Sequence, residues 1–138
     1  MTGFVGSPGF VSWSELKTLL AAGMAIGSHS RSHPYLDRIR DPTVLWDQIY
    51  NSKQILETRL GVRVDNFAYP YGAYNTATSS MVRAAGYKTA RACCVGGALV
   101  DAYGLKAVMA PNDLAKFVRY LDGAGPSPRL LGLRHHSR

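Results

Sequence analysis

Two histidines four residues apart, His29 and His33, sit in the stretch Gly27-Ser28-His29-Ser30-Arg31-Ser32-His33-Pro34. One helical turn takes 3.6 residues, so positions i and i+4 face the same way. Two imidazoles at that spacing can meet at one divalent cation, and zinc suits them. Gly27 before and Pro34 after argue against a long helix; a single turn at the end of a strand is expected. Zincin proteases also space two histidines by four, but on a helix with Glu after the first. That position is Ser30 here, which disfavours a zincin. The same pair in a polar loop could equally be solvated or bonded to backbone, so spacing alone leaves both readings open.

The elements that must position these residues follow a simple rhythm. Ser12 and Glu15 form a capping-box pattern that starts a helix near 12–22, with Leu16, Leu19 and Leu20 as its apolar stripe and Gly23 as its stop. Met24 to Ser28 reads as a buried strand that delivers His29 at its C-terminal end, where α/β folds bind ligands. Asp41 and Pro42 start a second helix, 42–60, carrying Leu45, Ile49, Leu56 and Leu60 on one face, with Gly61 at its end. Trp46 and Tyr50 read as packing residues. Val62 to Tyr69 is expected as a strand that runs into the turn Tyr69-Pro70-Tyr71-Gly72. A helix near 76–85 stopping at Gly86, a strand from Tyr87 to Val95, a turn at Gly96-Gly97, a strand from Leu105 to Ala110 and a helix near 113–121 capped by Asn112 follow. Strand and helix alternate about four times, which points to a parallel sheet or barrel with helices outside.

The 138 residues fit one folded unit, 46% hydrophobic and 18% charged, so the chain is globular rather than disordered. No apolar run reaches the length of a membrane span. The start has no signal-peptide core, so the chain as it stands is expected in the cytoplasm. Net charge is +7, but the basic residues are scattered apart from the tail with Arg129, Arg134 and Arg138. Nucleic-acid binding is therefore disfavoured. Adjacent Cys93 and Cys94 would form a strained disulfide and are expected as free thiols.

Three ordered segments carry a resemblance. Gly27 to Leu36 resembles the histidine motif of the polysaccharide deacetylases (the NodB-homology domain, carbohydrate esterase family 4). Phe67-Ala68-Tyr69-Pro70-Tyr71-Gly72 resembles that family's next motif, and Ala84 to Ala90 the segment after it. The resemblance runs from about Val5 to Leu121. It implies an α/β fold, a partial, distorted β/α barrel of the NodB-homology type. It implies hydrolysis of acetyl groups from an acetylated polysaccharide, with a divalent metal, zinc before others, on His29 and His33. Tyr71 would offer its backbone N–H to the oxyanion, and Tyr69, Pro70, Tyr71 and Gly72 would form the substrate groove wall. The working location implied is extracellular or the cell envelope.

The resembled family also uses an early Asp-Asp motif, one Asp as third metal ligand and its neighbour as general base. This chain has no Asp-Asp pair, and His135 and His136 are no match for the family's late histidine. The first strand or strands are thus expected to be missing, with residues 1–122 as a shortened domain and 123–138 as a flexible basic tail. The expected result is a half-site without turnover and an open sheet edge that allows self-association. A non-catalytic carbohydrate-binding remnant is the alternative. Asp37 and Asp65 are expected in surface or capping roles.

Overall fold

The first helix, Trp13–Ala21 (α1), begins at Ser12 with both bonds of a capping box: Ser12 Oγ accepts the Glu15 N–H at 3.2 Å and a Glu15 carboxylate oxygen accepts the Ser12 N–H at 2.7 Å. The computed structural model describes residues 1–93, 101–107 and 113–121. The expected turn at Gly96-Gly97, strand residues 108–110, the Asn112 cap, the two thiols and the tail fall outside what is described.

The second helix runs from 42 to 60 as expected, but in three parts. Pro42–Trp46 (α2), capped by the Asp41 carboxylate on the Thr43 N–H, passes through a π-helical turn, Asp47–Asn51, into Ser52–Leu60 (α3), which ends at left-handed Gly61. The wide turn leaves the Ile49 carbonyl to two hydroxyls: Ser52 Oγ donates at 2.8 Å and Tyr87 Oη at 3.0 Å. Ser52 Oγ also bonds Ser28 Oγ at 2.8 Å, so this helix is fastened to the segment that leads to His29.

The sheet is parallel throughout its described strands: Asn66–Ala68 (β1), Thr89–Cys93 (β2) and Leu105–Ala107 (β3), in that spatial order. Asn66 lies opposite Thr89, and Arg91 opposite Leu105. Helices Thr76–Ala84 (α4) and Leu114–Leu121 (α5) complete the alternation. Asn75 caps α4 by accepting the Thr78 N–H at 2.9 Å. The core joins the helices to the sheet through Leu45, Ile49, Leu56, Phe67, Val82 and Tyr87. Trp46 and Tyr50 stack at 4.6 Å and pack against it.

The strand expected from Tyr87 begins only at Thr89, and two others are shortened further. Of Met24 to Ser28, only Ser28 pairs with β1: its N–H donates to Asn66 O at 2.9 Å and its carbonyl accepts the Ala68 N–H at 2.8 Å. Gly27 permits that approach, since a Cβ there would stand 3.2 Å from the Asn66 oxygen. Of Val62 to Tyr69, only residues 66–68 are strand, because side chains from α3 hold the preceding backbone. Glu57 accepts the Val64 N–H at 2.9 Å, while Lys53 Nζ donates to the Val64 carbonyl. Lys53 is 6% exposed, paired with Glu57 at 3.2 Å and seated over the Tyr87 ring.

Candidate functional site

Ser28 and Ala68 mark the C-terminal ends of two neighbouring extended segments, and His29 follows Ser28 directly. Its Nδ1 lies 2.8 Å from the Ala68 carbonyl. That oxygen can only accept, so Nδ1 carries the proton and Nε2 presents its lone pair. His33 Nε2 is 3.0 Å from His29 Nε2, with the rings at 70°. Two nitrogens on one tetrahedral zinc, each about 2.0–2.1 Å away, stand about 3.3 Å apart. The pair therefore fits two places on one metal, and the Ala68 carbonyl is the outer contact that orients the first ring.

The loop between the histidines reaches this geometry through unusual backbone. Ser30 and His33 have φ of 62° and 64°, a region that costs a non-glycine residue roughly 1–2 kcal/mol. Several bonds hold it there. Buried Ser30 Oγ accepts the His33 N–H at 3.0 Å. The Ser30 and Arg31 carbonyls accept the N–H groups of Thr2 and Gly3 at 3.2 and 2.9 Å. From the π-helical turn, Gln48 Oε1 accepts the Ser32 N–H and hydroxyl at 3.0 and 3.1 Å, and both Asp47 oxygens lie 2.8 Å from one Arg31 nitrogen. Gln48 and Asp47 were not singled out in the sequence. Gln48 had a signal, since it and Ser52 are polar residues on the stripe of Leu45, Ile49 and Leu56; Asp47 had none.

Tyr71 closes the site from β1. It too is left-handed, with φ 58°, in the turn Pro70–Gly72. Its ring meets His33 edge-on at 4.5 Å and stacks on Tyr35 at 3.9 Å. Of the four residues assigned to the groove wall, Tyr71 is 55% exposed, whereas Tyr69, Pro70 and Gly72 are buried. Tyr69 thus supports the wall from beneath. Its hydroxyl donates to the Tyr103 carbonyl at 2.9 Å, and burial pushes its pKa far up.

Burial lowers the His29 pKa from its ordinary value; the Ala68 carbonyl opposes this, while His33, the Met1 ammonium and Arg91 add to it. The ring is neutral at pH 7, as a metal ligand must be. No third His, Cys, Asp or Glu joins the pair among the described residues. Asp65 is occupied elsewhere, bonded to Arg63 and Lys88 at 2.7 Å each, which hold its carboxyl below the usual range. Asp37 accepts the Asn75 amide through its backbone carbonyl at 3.1 Å, and its buried carboxylate oxygen Oδ1 has no hydrogen-bond partner among the described residues.

Known proteins resemble this chain in sequence and in fold. The family model for polysaccharide deacetylase matches residues 1–90. The chain belongs to the polysaccharide deacetylase family. Solved structures agree on the fold. A Streptococcus pyogenes deacetylase in complex with acetate is 24% identical, with a TM-score of 0.74 over 91% of this chain and 56% of its own. A polysaccharide deacetylase from Bacillus cereus is 24% identical, with a TM-score of 0.68 over 78% of this chain and 34% of its own. A gellan lyase from Bacillus is 39% identical over 60 residues, 44% of this chain and 2% of that protein. The chain thus spans only part of each relative's length. The open parallel sheet agrees with the partial β/α barrel expected from the sequence. No described helix is long and apolar enough to cross a membrane.

Proposed function

We propose that this chain carries the metal-binding half of a deacetylase site that removes acetyl groups from N-acetylated or O-acetylated polysaccharide at the cell envelope. The observation that carries the reading is the convergence of His29 and His33 Nε2 at 3.0 Å, with Ala68 fixing the tautomer of the first. A divalent metal there, zinc by choice, would polarise the acetyl carbonyl and activate water. His29 and His33 would hold it, and Tyr71 would line the groove and offer its backbone N–H to the oxyanion.

General-base catalysis is typically worth about 10²–10⁴-fold, and among the described residues no carboxylate stands with the histidine pair. Among the described residues the pair is therefore a metal-binding site without a base beside it. Purified with zinc, the chain should release acetate from N-acetylglucosamine oligomers no faster than the H29A/H33A double mutant, while zinc titration should separate the two proteins. Robust histidine-dependent release would overturn the half-site reading; zinc binding that survives the double substitution would overturn the metal assignment. That no carboxylate joins the pair among the described residues also supports a second reading, a carbohydrate-binding remnant. Oligomer binding that is unchanged when zinc is removed would favour it.

A further inference from the structure

We propose that Tyr35 is a positioning residue for the histidine pair, acting through Tyr71; this rests on the metal-site reading above. Four flat groups form one column. The Arg38 guanidinium carbon lies 4.2 Å from the Tyr35 ring centre, Tyr35 stacks on Tyr71 at 3.9 Å and 8°, and Tyr71 meets His33 at 4.5 Å and 66°. Tyr71 needs such support. Its left-handed backbone is unfavourable for a bulky residue and the residue is 55% exposed, so burial alone does not hold it. Tyr35, 38% exposed, covers it on one side and is itself covered by Arg38. His33 is left-handed as well, and its ring has contact with Tyr71 on one side and His29 on the other.

The column gives Tyr35 a role distinct from core packing. Offset or parallel aromatic stacking is a property of the ring, not of the hydroxyl, and no hydrogen bond of the Tyr35 hydroxyl enters this arrangement. The turn's backbone bonds, Gly72 N–H to Tyr69 O at 2.9 Å and Ala73 N–H to Pro70 O at 3.1 Å, hold the Tyr71 backbone; removing the Tyr35 ring frees the exposed Tyr71 side chain to turn away, and His33 then loses one of the two ring contacts that orient its Nε2. The metal would have to reorder both residues on binding, and its affinity falls by that cost.

The test compares the wild-type chain with Y35F and Y35A. The ring-to-ring nuclear Overhauser contact between His33 and Tyr71 is measured in the metal-free protein, and zinc affinity by titration. Far-ultraviolet circular dichroism confirms folding of each variant. Y35F should keep both the contact and the affinity. Y35A should lose the contact and bind zinc about 2- to 12-fold more weakly, the worth of one aromatic pair. A Y35A chain that keeps both properties overturns the proposal, and so does a Y35F chain as impaired as Y35A. Should Y35A fail to fold, Y35L, which keeps apolar cover without a stack, takes its place with the same expectations. If the wild type binds no zinc and the His33–Tyr71 contact still depends on the Tyr35 ring, the metal reading fails and the positioning role stands.

Discussion

Replacing Gln48 by Leu should loosen the histidine loop without opening a cavity, since the two side chains are similar in volume. Gln48 is 9% exposed, and its Oε1 takes two bonds from Ser32, at 3.0 and 3.1 Å. A neutral hydrogen bond contributes about 0.5–1.5 kcal/mol net, so the pair is worth about 1–3 kcal/mol. Ser32 is exposed, and water can replace part of what it loses, so the lower half of that range applies. For a chain of this size the melting temperature should fall by roughly 3–8 °C. The loss is local, so exchange of the Ser32 amide proton should quicken by about 5- to 30-fold, measured by hydrogen exchange followed by magnetic resonance. Q48E keeps an acceptor oxygen and should behave close to wild type. A Q48L chain with unchanged Ser32 exchange would refute the claim that the π-helical turn holds the loop.

Two further predictions follow from the same geometry. Lys53→Met leaves the buried Val64 carbonyl without its donor and removes the cation over Tyr87, a loss of about 2–4 kcal/mol by thermal or urea unfolding. A variant as stable as the wild type would contradict this. His29 is held below its ordinary pKa of 6.5, so the unfolded chain binds its proton first and the stabilisation, present above pH 6.5, fades as pH falls through the folded value. Metal-free H29N should therefore lose stability less steeply than wild type between pH 7 and 5. A His29 titration above 6.5 in the folded chain would reverse the sign.

The sequence alone determined the elements whose causes are local. Ser12 with Glu15 and Asp41 with Pro42 each place a helix start by side-chain bonds to backbone within three residues, and both were legible; the Asn75 cap was seen only in the structure. The delivery of His29 beside β1 was legible only in part: Ser28 bridges β1 as the Gly-Ser step suggested, but the run before it is neither a strand nor buried, with Met24 55% exposed. The ordered histidine, Tyr-Pro-Tyr-Gly and Ala84 to Ala90 segments pointed to the family. Tertiary structure decided the rest. The π-helical turn places its Ile49 carbonyl against Tyr87, a residue distant in sequence, whose hydroxyl donates to it. The strand before β1 is cut short because Lys53 and Glu57 take the Val64 peptide in place of a neighbouring strand. Helical spacing brought the imidazoles of His29 and His33 to one side in the sequence reading, yet their convergence is reached through two left-handed residues and a glutamine from another element. Such bonds join positions far apart along the chain, and no periodicity records them.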